Sequence, residues 1–467
     1  MFDKNFKFGF SESGFQFEMG ISDEDTNSDW YVWANSRNNA ANHYVSGDKP
    51  QNGAGYWDKF REDHKNAANL GMNSGRLGIE WSRLFPESAE SVEPEVLIED
   101  GTVKHVSIDK EILESMDGIA DQKSIEHYSE IFSDFKQRGN FLIINLYHWT
   151  LPLWLHNPSG STGNAIGNCF DNHKIVEFAK YAAFAAWKFD KYADRWCTMN
   201  EPNMVYQGCS PDRSLKQVTE NKEKFATGHA RAYDAIKSVS SKPVGIIFAN
   251  GDIMPLKDDD VTTSQRAKYI NRYSFFDSII DGKSEGIYAD GMVHQDRVDL
   301  KNRVDWLGLN YYSRDVVKTD NSDYGFTVVK GYGHYCPNME KSLDGNPVSD
   351  TGWEIYPNGI YNIIRDYSER YHIPITITEN GIADENDRYR SYYISSHLDN
   401  IERAINDGYK VEGYLHWAHT DNFEWASGFS KKFGLFSVDM NTKERTMRNS
   451  ALTLKNIIES RGINSVE

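Results

Sequence analysis

Two glutamates in this chain could work as a pair. Glu201 lies in TMNEPN (198–203) and Glu379 in ITENG (377–381); each follows an apolar, threonine-containing run, and each adjoins an asparagine, Asn200 and Asn380. Cleaving a glycosidic bond takes one carboxyl to protonate the leaving oxygen and a second to attack or to direct water. The two need opposite settings. The acid must hold its proton near neutral pH, while its partner must be ionised and helped by donors and positive charge. Arg76 and Tyr312 are the candidates to stabilise Glu379, whose charge, together with aromatic walls, would raise Glu201. Once a sugar has been transferred that charge is gone, and Glu201 can act as base. A carboxyl separation of about 5–5.5 Å would mean retention through a covalent intermediate and a wider gap inversion; the sequence leaves both open. Pro202 restricts the residue before it, so Glu201 is expected in extended backbone, pointing out of its strand end.

Such a pair has to be carried by something. Eight short runs read as strands: 6–18, 74–81, 141–149, 194–202, 243–250, 304–312, 374–380 and 411–417. Most are too apolar to alternate cleanly, as expected of parallel strands covered on both faces. Helical stretches over 55–72, 123–139, 174–193, 225–239, 266–282, 358–371 and 391–408 lie between them, and 450–462 closes the chain. Strand alternating with helix eight times predicts an α/β fold, a (β/α)8 TIM barrel with long inserted loops; a doubly wound open sheet is the alternative. No internal repeat or low-complexity tract is evident. The segments 87–122, 251–265 and 313–352 read as insertions, which makes residues 1–467 one catalytic domain.

In such a barrel the site lies at the C-terminal strand ends. Those ends carry Gln16 and Glu18, Arg76 with Glu80 and Trp81, His148 and Trp149, and Asn200 and Glu201; then Asn250, Asn310 with Tyr311 and Tyr312, Glu379 and Asn380, and His416 with Trp417. Any one of these is ordinary. All eight ends together are hard to explain as packing, because a buried polar group without a partner costs about 1–3 kcal/mol. On the fourth and seventh strands, Glu201 and Glu379 would face each other across the mouth of the barrel.

A net charge of −18 disfavours nucleic acid and anionic membrane surfaces as partners. No apolar run approaches the roughly 20 residues of a membrane span. The N-terminal stretch MFDKNFKFGF lacks a basic segment followed by an apolar one, so a cytoplasmic protein is expected. Cys169, Cys197, Cys209 and Cys336 show no zinc-type or CxxC spacing and are expected to be reduced, buried thiols. No HExxH, no clustered metal ligands and no phosphate-cradling glycine loop are present, so neither metal nor cofactor is expected. Aromatic residues make up 13% of the chain, with 12 Trp and 26 Tyr, which suits a pocket that stacks on sugar faces.

The two glutamate motifs resemble the signatures of family 1 glycoside hydrolases. SGFQFE (13–18), RLGIEWSRLFP (76–86), LYHWTLPLWL (146–155), LGLNYYSR (307–314) and GYLHWAHTDNFEWASGFSKKFGL (413–435) match the same pattern in order, over residues 1 to about 460. The likeness is greatest to archaeal β-glycosidases, through VSGDKPQNGAGYW (45–57) and the 229–250 run. The resemblance implies a retaining, exo-acting β-glucosidase or β-galactosidase, with fucosyl substrates and transglycosylation in range. Small oligosaccharides or glycosides would be its substrates, and a dimer or tetramer its form. It implies Glu201 as acid/base and Glu379 as nucleophile, with Arg76 and Asn310 in support. Gln16, His148, Trp149, Asn200, Tyr312, Glu424 and Trp425 would hold the sugar, with Trp417 stacked beneath. A carboxylate at 424 would repel a phosphorylated sugar, although Lys431 and Lys432 lie close in sequence. Thr150 (where Pro is frequent), His419 and the 207–217 segment depart from the pattern, near the leaving-group side or behind it. The competing reading is a barrel that binds sugars without turning them over; retention of both carboxylates argues against it.

Overall fold

The computed structural model describes residues 1–159, 168–209, 213–288 and 291–463. Eight strands form its centre: β1 (Lys7–Ser11), β2 (Ser74–Gly78), β3 (Phe141–Tyr147), β4 (Arg195–Asn200), β5 (Val244–Pro255), β6 (Trp306–Thr319), β7 (Ile375–Asn380) and β8 (Val411–His416). Each is hydrogen-bonded in parallel to the next, and β8 returns to β1 with Lys7 opposite Gly413, so the sheet closes. This is the predicted TIM barrel, not the open sheet. The strand bodies are buried almost throughout, which is why they read as apolar runs without alternation. Inside the barrel Ile143, Cys197, Ile247, Trp306 and Leu415 pack together.

Helices α1 (Tyr56–Asn69), α2 (Gln122–Gln137), α3 (Asn172–Phe189) and α4 (Leu215–Val239) cover the first four crossovers. Helices α5 (Ser274–Asp281), α6 (Asn358–Tyr371) and α7 (Arg390–Asn406) cover the next three, and α8 (Ser450–Ser460) closes the ring. Asp121, Asp171 and Ser214 cap α2, α3 and α4 by accepting backbone N–H bonds in the first turn.

Several expectations need correction. The first run does not continue to residue 18: after Ser11 the chain turns into a short helix, Gly14–Phe17, so Gln16 stands on a helical turn. The helical stretch over 266–282 is interrupted. Val261–Lys268 joins α5 through a π turn at Tyr269–Tyr273. The segments 251–265 and 313–352 are not simply loops either. Past a register shift, β5 and β6 run on side by side (Asp252 opposite Arg314, Pro255 opposite Val317), and Phe326–Val328 adds an antiparallel strand. This extension has its own small core of Leu215, Ile253, Ile270, Val317 and Phe326. The 87–122 insertion holds a hairpin, Val96–Glu99 with Thr102–Val106, and a helix, Lys110–Ile119. Finally, Cys169 and Cys209 form a disulfide, with Cα atoms 5.5 Å apart. The crossover brings the segment before α3 beside the end of Pro202–Gly208, a proximity that sequence spacing does not reveal. Cys197 and Cys336 are free, buried thiols as expected. Among the described residues no helix is long and apolar enough to cross a membrane.

Candidate active site

A cavity of about 790 Å³ opens at the C-terminal end of the barrel. Of the singled-out residues, Gln16, His148, Trp149, Glu201, Tyr312, Glu379, Trp417, Glu424 and Trp425 all line it. Arg76, Asn200 and Asn310 do not; they are buried and contact lining residues, Glu379, His148 and Glu201 in turn.

The floor is one continuous run of contacts. Asn310 Nδ2 donates to Glu201 Oε1 at 2.8 Å and to Asn200 Oδ1 at 3.2 Å. Arg76 Nη1 donates to the same Asn200 oxygen at 2.6 Å and sits 2.7 Å from Glu379 Oε1. Tyr312 donates its hydroxyl to Glu379 Oε2 at 2.7 Å. The strand ladder makes this possible, because Asn310 stands opposite Glu379 in the β6–β7 register. Thr378 donates to Asn310 Oδ1 at 2.8 Å and so fixes which way that amide faces.

The two carboxylates therefore have different surroundings. Glu379 has a buried guanidinium beside one oxygen and a phenol donating to the other. Glu201 has one neutral amide. Burial, and then the charge of Glu379, push its carboxyl up to about 8. At neutral pH it holds a proton that it can give away.

The backbone of Glu201 differs from expectation. Its φ is 49° and ψ 52°, in the left-handed region rather than extended. Its N–H still completes the ladder by donating to Ile247 O at 2.8 Å, and the next residue already opens a helix with Pro202 in its first turn. The chain must therefore reverse within one residue, and that residue carries strain of about 1–3 kcal/mol. Trp149 (φ 77°) and Trp425 (φ 50°) share the conformation. Gly381, just beyond the second motif, is required for a different reason: a Cβ there would lie 1.6 Å from Trp417 O.

The inner end of the cavity is aromatic and polar. Trp425 stacks on Phe15, with centroids 5.8 Å apart and planes 9° apart, and lies 4.6 Å from Trp149. Trp417 forms a buried wall against Phe17. Gln16 Nε2 donates to Asn422 Oδ1 at 3.1 Å and to Glu424 Oε2 at 3.4 Å. Burial, then the charges of Glu379 and Glu201, push Glu424 up to about 8 as well. His148 is held far below its usual range by burial and by Arg76, so it is neutral. Its Nε2 faces Asn200 Nδ2 at 3.1 Å, which assigns the ring proton to Nδ1. Nδ1 of His148 and Nε1 of Trp149 are buried without a protein partner. Donors left in this way favour a ligand rich in hydroxyls.

The outer part of the cavity runs along the β5–β6 extension, over Met204, Ile253, Val317, Phe326, Val328 and Trp353. Sequence reasoning missed Asn422, Phe433 and Trp353. Asn422 lies inside the TDNFEW stretch. Trp353 sits just past a segment read as loop, 5.2 Å from Tyr312. The departures from the family pattern lie behind the wall or outward of it. Thr150 bonds Glu80, His419 packs buried between Phe10 and Phe436, and Gln207 and Arg213 line the outer cavity; residues 210–212 fall outside the described residues. Lys431 is turned to Asp350 O at 2.6 Å, away from the role a phosphate would need.

The sequence profile of glycosyl hydrolase family 1 matches residues 1–97 and 112–463. The chain belongs to that family. It is therefore a glycoside hydrolase; between its two matched parts the profile omits residues 98–111, which hold most of the hairpin insertion and the start of the helix after it. A β-galactosidase of Saccharolobus solfataricus is 44% identical over 98% of this chain and 94% of its own length. The solved β-glycosidase of Thermosphaera aggregans superposes with a TM-score of 0.91 at 41% identity, covering 99% of this chain and 97% of that one. A β-glucosidase structure from Pyrococcus furiosus gives 0.88 at 38% identity, covering 99% and 96%.

Proposed function

We propose that this family 1 enzyme is a retaining, exo-acting β-glycosidase that releases terminal β-D-glucosyl or β-D-galactosyl residues, with β-D-fucosides and transfer to acceptor hydroxyls in its range. The contact chain from Glu201 through Asn310, Asn200 and Arg76 to Glu379 carries this reading, because it gives two nearby carboxyls opposite tasks. Glu201 protonates the glycosidic oxygen while Glu379 attacks the anomeric carbon. Tyr312 and Arg76 hold the attacking carboxylate in place. Bond formation to sugar removes the Glu379 charge, which is the second cause holding Glu201 high. Glu201 then becomes more acidic at the step where it must take a proton from water, and the second displacement restores the anomeric configuration.

The inner cavity supports single-sugar release. Gln16 and Glu424 face hydroxyls at its closed end, His148 and Trp149 supply free donors, and Trp417 and Trp425 supply flat apolar faces. In this reading Asn200 acts from beneath, holding Arg76, Asn310 and His148 in register. Homology to a β-galactosidase and likeness to a β-glucosidase favour both sugars.

The test is hydrolysis of nitrophenyl α- and β-glycosides by the wild type and by Glu379→Gly, with the product anomer followed by proton NMR. Turnover of β-glucoside and β-galactoside with first release of the β-anomer is expected, lost in Glu379→Gly and recovered with azide as an α-glycosyl azide. First release of the α-anomer would overturn retention; silence on every β-glycoside would overturn the function.

A further inference from the structure

Glu80 has no place in the chemistry above, yet it is buried behind the sugar end of the cavity. It follows β2, and its two oxygens are committed to two different loops. Oε1 accepts the backbone N–H of Phe15 at 2.8 Å; Oε2 is bonded to the Thr150 hydroxyl at 2.6 Å. Phe15 immediately precedes Gln16, and Thr150 immediately follows Trp149. Glu80's own N–H donates to the Tyr128 hydroxyl at 2.9 Å, which anchors it to α2. The first loop is built to admit it: a Cβ on Gly14 would lie 2.5 Å from Glu80 Cγ and 2.6 Å from Oε1. The second loop is strained at Trp149, whose carbonyl Asn168 Nδ2 also holds, at 2.6 Å.

We propose that Glu80 is a positioning residue that ties the Gln16 turn to the His148–Trp149 loop, so that both grip the same sugar. The proposal rests on the glycosidase reading for the sugar, and on geometry alone for the tie. Glu80 meets no substrate; it acts through the two loops. Burial, then the charges of Glu18 and Asp25, push its carboxyl up to about 8. At neutral pH it is thus a carboxylic acid, accepting from Phe15 with one oxygen and sharing a proton with Thr150 through the other. A glutamine reproduces both contacts, with its amide N–H donating to the Thr150 oxygen.

The experiment compares Glu80→Ala, Glu80→Gln and Thr150→Val in steady-state hydrolysis of 4-nitrophenyl β-D-glucoside. Calorimetric binding of a glucose-configured iminosugar is measured alongside. Loss of two buried hydrogen bonds in Glu80→Ala is expected to raise KM and the iminosugar Kd about tenfold or more, with kcat within about threefold. Glu80→Gln is expected within about threefold of wild type in every constant. Thr150→Val, which keeps the shape and removes one bond, should fall between and does not depend on Glu80→Ala folding. A KM and Kd unchanged in Glu80→Ala and Thr150→Val, or Glu80→Gln as impaired as Glu80→Ala, would overturn the tie. A wild type that binds the iminosugar but hydrolyses nothing would remove the glycosidase reading and leave the tie to be judged on the binding constants. A wild type that does neither would take both down.

Discussion

The floor and the outer reach of the cavity are built from different material. On the floor, Arg76, Asn200, Glu201, Asn310 and Glu379 come from the ends of four barrel strands, and each side-chain position is set by another's hydrogen bond. The outer cavity stands on the β5–β6 extension and on loops. Its apolar side chains include Val328 on the added strand and half-exposed Met204 on the short helix Pro202–Gly208. A position fixed by several partners tolerates no change in geometry, while an apolar surface tolerates many. The difference between them should therefore appear as a gradient of mutational effect from the floor outwards.

The sharpest break is expected at Glu379. Glu379→Gly removes the proposed attacking group and should lower kcat/KM on β-glucosides by about 10⁴-fold or more. A loss below about tenfold would mean that the floor is not where bonds are made. Glu201 should come next. Glu201→Ala should slow glycosides with poor leaving groups by about 10²–10⁴-fold and nitrophenyl substrates less, since those need little protonation. Its pH profile carries a sign. The acid must be protonated, and its carboxyl is pushed up to about 8, so wild-type kcat/KM should fall as pH rises through that value. The fall should vanish in Glu201→Gln on nitrophenyl substrates. If it persists unchanged, it belongs to Glu424, which sits at about the same value.

Midway lies the sugar end. Glu424→Ala removes a carboxyl proposed to bond hydroxyls and should cost about 10–100-fold in kcat/KM, expressed chiefly in KM. An equal loss on glucoside and galactoside would place Glu424 against a hydroxyl common to both. An unequal loss would make it the residue that tells the two sugars apart.

The same gradient runs through what could be read from the sequence. The floor was legible because a closed parallel barrel puts the residue after each apolar run at one rim, so Glu201, Glu379, Asn310 and His148 announce themselves by place alone. Arg76 was legible as a cation among those strand-end residues, a candidate partner for the Glu379 carboxylate. The extended backbone expected at Glu201 failed because the local preference before proline gave way to a ladder bond at Ile247 and a helix starting one residue later. The Cys169–Cys209 bridge, the wall at Trp353 and the bond from Gln16 to Asn422 depend on where crossovers return, which no local pattern encodes. The strand extension past Asn250 was hidden by its polar composition, GDIMPLKDDD, which reads as loop although Ile253 packs on a small core.

The smallest effect separates the two regions most cleanly. Met204 projects into the outer cavity from the short helix that Glu201 opens, only three residues beyond the acid itself, and is half exposed. If nearness in sequence to Glu201 governed its influence, Met204→Ala would disturb every substrate alike. If its influence is apolar contact with the leaving group, the loss is limited to the few tens of Å² that an aryl group can cover, worth about 1 kcal/mol or less. Met204→Ala is then expected to lower kcat/KM about three- to fivefold on nitrophenyl β-glucoside and not at all on methyl β-glucoside, whose leaving group is too small to reach it. An equal drop on both would mean that the helix transmits the change to Glu201, and the floor and the outer cavity would have to be treated as one mechanical unit.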